Sequence, residues 1–207
     1  LGGHTRTIEV SSKETPSLMV DTGFIVMNHK NYPNFSKLLK ELGVELQKSC
    51  MTFSYYDFNQ NYGYAGISLS TLFPKFKYLF NLKHYALVGD LIRFGLIAHN
   101  ELINNNLGKK TLGDFLDENK FCPEFQNKYL FPMGAAIWSS PATAIRNFPA
   151  KSYLQFFENH GLLRHFNRPQ WYTVMNGANS YIKKILPTLS NSPRCNAEIA
   201  RVEKKDN

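Results

Sequence analysis

Cysteine is scarce in this sequence. Cys50, Cys122 and Cys195 are its only three, far apart and odd in number. They offer neither a disulfide framework nor metal-ligand spacing, which points to a reducing, cytoplasmic compartment. Long hydrophobic runs are missing too, because polar or charged residues interrupt every apolar stretch before membrane-spanning length. No signal-peptide pattern is present. Leu1-Gly2-Gly3-His4 opens without an initiator Met and reads as a turn, so the sequence is expected to begin inside a longer chain. No internal repeat or low-complexity tract occurs. His29, His84, His99 and His165 share no spacing, so no metal site is expected. Nothing beyond composition supports a Ser/His/Asp or Cys/His arrangement.

What is present suits a globular protein. The 207 residues are 43% hydrophobic and 19% charged, enough for one substantial core or one domain plus the edge of another. Aromatic residues reach 14%, with 16 Phe and 11 Tyr, and suit an apolar core or an apolar ligand cavity. Lys and Arg number 24 against 16 Asp and Glu, a net charge of +8. The basic residues fall in dispersed pairs, Lys109-Lys110, Lys183-Lys184 and Lys204-Lys205, without a dense stripe interleaved with aromatics. Nucleic acid is therefore not an expected partner, whereas peripheral contact with an anionic membrane is compatible with the charge.

Local patterns predict a succession of short elements. His4–Val10 and Leu18–Val26 read as strands, separated by the polar loop Ser11–Ser17 and interrupted by an Asp21-Thr22-Gly23 turn or bulge. Asn31 is placed to cap a helix with Pro33 in its first turn and Gly43 at its close. Alternation from Met51 to Tyr56, a turn at Asp57–Gly63 and a short strand near Tyr64–Ile67 predict a hairpin. Tyr85–Leu102 is helical in pattern. Thr111 with Asp114 forms a capping box, and Pro123 opens a helix that Pro132 is expected to kink or end. Ala150–Asn159 is a further helix, with His160 as its C-cap. Trp171–Met175 reads as a strand, Ser180–Leu189 as a helix and Cys195–Lys204 as a last strand. The sum is an α+β fold: a helix-rich domain with a small mixed or antiparallel sheet, plus strands belonging to another sheet.

Five stretches, in order, carry a resemblance. They are Leu1-Gly2-Gly3-His4-Thr5, Val20–Val26, Tyr129–Ser139, Phe156–Leu163 and Arg168–Val174. Together they resemble the flavin-containing amine-oxidase-like family, in its bacterial branch of predicted NAD/FAD-binding oxidoreductases. Two features of that family are not matched. Its glycine-rich nucleotide-binding turn would lie ahead of Leu1, and its C-terminal segment is also missing. Where the branch has a glycine pair after Val174, this sequence has Asn176-Gly177.

The resemblance implies a remnant of an FAD-binding domain over residues 1–30, a helix-rich substrate domain over 31–175, and a return helix and strand over 176–207. It implies FAD as cofactor in the complete protein, with Gly2, Gly3, Thr5, Asp21, Thr22 and Gly23 beside it. Without the glycine-rich turn, FAD is expected to be absent from this chain alone, and the chain alone to be inactive. The implied reaction is oxidation of an amine or apolar substrate by hydride transfer to flavin. Tyr55, Tyr56, Trp138, Trp171 and Tyr172 are candidate substrate-cavity residues, since aromatic faces accept either a cation or an apolar chain. Taken alone, each is more often a core residue than a cavity wall. The Gly134-Ala135-Ala136 run reads as tight helix packing or as a close pass of the flavin ring. The alternative function is a non-enzymatic binding module for a lipid or other apolar ligand.

Overall fold

The computed structural model describes residues 1–11, 16–164 and 169–204. Ser12–Thr15 of the polar loop, His165 and Arg168 lie outside the described residues. Strand β1 (Thr7–Val10) pairs antiparallel with β2 (Leu18–Asp21), in the register Thr7 with Asp21 and Val10 with Leu18. Backbone bonds from Thr22 to Arg6 and from Phe24 to His4 extend this hairpin, although the strand itself stops at Asp21 rather than running to Val26.

Helix α1 (Pro33–Glu41) starts at Pro33, whose missing N–H would be unsatisfied there in any case. Its N-cap is Tyr32, not Asn31, and no side chain caps it. The backbone N–H of Asn31 is instead held by the Asn28 side chain at 2.8 Å, an Asx turn ahead of the helix. Strand β3 (Leu46–Ser49) follows. A hairpin comes next, from β4 (Ser54–Asp57) and β5 (Tyr62–Ala65); the expected strand from Met51 begins only at Ser54.

Helix α2 (Leu69–Leu72) is a single turn, and a 3-10 turn spans Phe76–Phe80. The longest helix, α3 (Leu82–Ile103), is capped by the Asn81 side chain on the His84 N–H. Helix α4 (Leu112–Glu118) carries the Thr111–Asp114 capping box with both reciprocal bonds made, at 2.9 and 3.1 Å. Hydrogen bonds from Thr111, the side-chain bond above all, hold the Asp114 carboxyl below its usual range.

Pro132 does not end its helix. Helix α5 (Pro123–Phe125) passes through a π-turn at Gln126–Leu130 into α6 (Phe131–Trp138). Pro132 has no N–H for the carbonyl of Lys128 four residues earlier. The Tyr64 hydroxyl donates to that carbonyl at 3.0 Å and satisfies it. Helices α7 (Ala142–Ile145) and α8 (Ala150–Asn159) complete this region, α8 ending with His160 as C-cap. Strand β6 (Trp171–Val174) and helix α9 (Asn179–Ile185) follow, and α9 runs on as a 3-10 turn over Leu186–Thr188. The tail forms no strand: Ala197–Lys204 has no regular structure. Ile199 and Val202 are three positions apart, so a strand would place them on opposite faces, and both stay exposed.

The architecture is α+β, with three two-stranded antiparallel sheets among the described residues. The chain forms two compact units: Leu1–Cys50 with Gln170–Asn207, and Met51–Pro169. The first is closed by β3 pairing with β6, Leu46 opposite Val174, which makes the second an insertion between neighbouring strands. Its core is small: Met27, Leu39, Val174, Ala178 and Tyr181.

The inserted unit has a large aromatic core. Phe94 on α3 meets Phe115, Phe121, Phe125 and Phe157 at ring separations of 5.3 to 6.1 Å. Tyr153 is fully buried, stacks on Phe157 at 4.6 Å and donates its hydroxyl to the Leu130 carbonyl at 2.8 Å. Gly134 lets α6 lie against this layer, since a Cβ there would sit 3.0 Å from both Ile145 and Tyr153. Tight helix packing therefore accounts for Gly134 in the small-residue run.

Candidate functional site

In the first unit, three of the singled-out segments converge. Gly2 and Gly3 both have positive φ, 95° and 55°, a backbone region that residues with a Cβ rarely adopt. They form a turn closed by the Thr5 N–H on the Gly2 carbonyl at 2.9 Å. Gly23 packs against the same turn, where a Cβ would come within 2.0 Å of the His4 carbonyl oxygen. That contact alone demands glycine at position 23. Gly3 differs, because nothing lies within 4 Å of the place a Cβ would occupy. Gly3 is thus the open edge of the motif, where a ligand can approach the backbone.

A polar clasp joins this turn to the returning chain. The Thr7 hydroxyl donates to the Asp21 carboxylate at 2.6 Å, and the Ala178 N–H donates to the same carboxylate at 2.9 Å. The Asn179 N–H bonds the Thr7 hydroxyl at 2.9 Å, and buried Thr5 shares a hydrogen bond with the Tyr181 hydroxyl. Asn176 and Gly177 both take positive φ, 63° and 87°, so Asn-Gly makes a left-handed turn just before the clasp. Asp21 and Thr5 are engaged within the protein, and Thr22 bonds the Arg6 carbonyl at 3.2 Å. Asp21, Thr22 and Gly23 thus hold the first unit's turn through Thr7, Ala178, Arg6 and His4.

The five aromatic candidates are distributed between the units. Trp171 and Tyr172 are neighbours on β6 in the first unit; Trp171 is buried and Tyr172 lies 4.8 Å from the His29 ring. In the inserted unit Tyr55 and Tyr56 project to opposite faces of β4. Tyr55 faces Tyr62 and Tyr64, and half-exposed Tyr56 bonds Asn61 at 2.9 Å. Trp138 belongs to the aromatic core, 5.0 Å from both Tyr153 and Phe156. Within that unit, then, Tyr55 and Trp138 sit in separate apolar clusters.

The inserted unit also holds a cavity of about 370 Å³, within the usual range for small-molecule sites. Gln60, Tyr62, Lys77, Tyr78, Asn81, Lys83, His84, Pro123, Glu124, Asn127 and Lys128 line it. Its inner wall is a ring cluster: Tyr62, Tyr78 and His84 pack at 5.1 to 5.9 Å. Tyr62 bonds His84 Nδ1 through its hydroxyl at 2.7 Å, and the Gly63 N–H donates to the Tyr78 hydroxyl at 2.8 Å. Burial raises the Tyr62 hydroxyl well above its ordinary pKa. Burial likewise lowers the His84 imidazole; the Leu72 backbone opposes this, and the Lys128 charge pushes it further down. His84 is a buried ring.

The rim is cationic. Lys128 bonds Gln60 at 3.1 Å and stands 4.3 Å over the Tyr62 ring, Lys77 bonds the Asn61 carbonyl at 3.3 Å, and Lys83 pairs with Glu124 at 3.5 Å. None of the residues lining this cavity stands in a motif or a periodic pattern that marks it in the sequence. Its signal is the run Phe76-Lys77-Tyr78-Leu79-Phe80-Asn81-Leu82-Lys83-His84-Tyr85, where polar and apolar residues interleave with neither helical nor strand period. Elsewhere, no cluster of three or more His, Cys, Asp or Glu fit for a metal occurs among the described residues. No helix among them is long and apolar enough to cross a membrane. The chain matches no protein-family model and no curated protein sequence.

Proposed function

We propose that the chain supplies the substrate side of a cytoplasmic, FAD-dependent oxidoreductase of the amine-oxidase-like class, acting on an amine or apolar substrate. The observation that carries this reading is the discontinuous first unit. A positive-φ glycine turn at Gly2-Gly3 is clasped through Asp21 to Ala178 and Asn179, with a helix-rich unit inserted between. A cofactor domain interrupted by a substrate domain has this chain order. The hairpin β1–β2 adds support. Ile8, Val10, Leu18 and Met19 are exposed on it, and a two-stranded sheet is marginal by itself, so further strands beside it would complete a cofactor fold.

FAD, when bound, accepts a hydride equivalent from a substrate C–H bond. The residues of this chain would position and seclude. Gly3 offers its open backbone edge to the cofactor, and Asp21 fixes that edge against the returning helix. The test is an FAD titration of the protein produced from its whole gene, with Gly3→Val beside it, followed by anaerobic addition of primary amines and apolar substrates. Flavin binding that Gly3→Val abolishes, with bleaching by one substrate class, supports the reading. Bound flavin that Gly3→Val leaves unchanged removes the glycine turn from it. The second reading, a non-enzymatic module for a lipid or other apolar ligand, is favoured by the exposed apolar residues around Phe76–Leu82.

A further inference from the structure

The run Phe76 to Tyr85 interleaves two kinds of residue. Lys77, Tyr78, Asn81, Lys83 and His84 line the cavity. Between them, Phe76, Phe80 and Leu82 are 76%, 75% and 84% exposed, and the Phe76 and Phe80 rings touch at 5.4 Å. Monomeric proteins rarely leave a grouped apolar patch in water without a use for it. Here Phe76 and Leu82 are chain neighbours of the cavity lysines Lys77 and Lys83, Leu82 opens the 22-residue helix α3 at its positive end, and the lining adds Lys128 against Glu124 as its one carboxylate. A lysine-lined cavity whose lining residues alternate along the chain with exposed apolar ones matches one kind of occupant, an amphiphile with an anionic head and hydrocarbon beside it. A soluble anion would leave the phenylalanines uncovered, and a purely apolar partner would leave the lysines unmatched.

We propose that this face docks on an anionic lipid surface. The cavity bounded by Lys77, Lys83 and Lys128 receives the headgroup phosphate, while Phe76, Phe80 and Leu82 enter the acyl boundary. The chain then lies on the membrane rather than crossing it. The inference is independent of the flavin reading, since every residue in it belongs to the inserted unit.

The experiment is sedimentation of the 207-residue chain with phosphatidylcholine vesicles and with vesicles that also contain phosphatidylglycerol. Binding is expected to the anionic vesicles only. Phe76→Ser with Phe80→Ser, which leaves the charge unchanged, should lower it at least tenfold. Each of Lys77→Gln, Lys83→Gln and Lys128→Gln should lower it about fivefold. Glu124→Gln should raise it, because the carboxylate competes for Lys83. Lys109→Gln with Lys110→Gln is the control for overall charge and should have a smaller effect than any one cavity lysine. Equal loss in that control, or unchanged binding in the double Phe variant, would overturn the proposal. So would saturable binding of inorganic phosphate without vesicle binding, which would make the cavity a site for a soluble anion.

Discussion

The two units are held together in different ways. The inserted unit buries a continuous aromatic and aliphatic layer around Phe94 and Tyr153, with most polar bonds at its edges. The first unit buries five residues as its core and relies on charge-assisted bonds from Asp21 that join segments more than 150 positions apart. Apolar burial is spread over many contacts and tolerates the loss of a single polar partner. A clasp of a few polar bonds does not, because each deletion leaves buried donors without acceptors. The lesson is that a single substitution should separate the units energetically. The sequence provides a reporter for each, Trp171 in the first and Trp138 in the second. Trp138→Phe or Trp171→Phe leaves one unit visible at a time.

The largest effect is expected from Phe94→Ala, which removes the ring at the centre of the inserted unit. A loss of about 3–5 kcal/mol should appear in denaturant unfolding followed by Trp138, with the Trp171 transition unmoved. If both transitions shifted together, the contrast between the units would fail. Asp21→Ala should cost the first unit about 2–3 kcal/mol and leave the Trp138 signal in place. Thr111→Ala removes one half of the capping box on α4 and should cost the inserted unit about 1 kcal/mol, read the same way.

The smallest effect concerns pH. His84 is depressed in the folded state, so the unfolded chain binds its proton more readily. The stability that its neutral form contributes is present above the unfolded value of about 6.5 and is lost as pH falls through the lower, folded one. Thermal unfolding of the inserted unit should therefore weaken on acidification in that window, and His84→Gln should flatten the slope. An unchanged slope in that variant would assign the acid sensitivity to other groups.

Much of the fold was legible because its signals are local. Pro33, the Thr111–Asp114 box, the bounds of α8 and the β4–β5 hairpin follow from capping, turn chemistry and periodicity. What escaped depends on distant partners. Asn31 lost the cap because Asn28 is folded into an Asx turn. Pro132 is carried through a helix because Tyr64, far off in sequence, satisfies the carbonyl it frees. The tail reads as a strand but pairs with no strand among the described residues. Of the cofactor-side residues, the glycine turn was visible as a motif, whereas the reason for Gly23 appears only with the His4 backbone against it. The lysine-lined cavity gave no periodic signal, since its residues come from a turn, the start of α3 and the π-turned helix.

Flavin binding decides between the oxidoreductase and the binding module. Its most direct test is the absorbance spectrum of the protein produced from its whole gene, purified without added FAD beside the 207-residue chain. Flavin bands in the former and none in the latter are the predicted result. A colourless product from the whole gene, still colourless after incubation with FAD, would contradict the oxidoreductase reading and leave a binding module in its place.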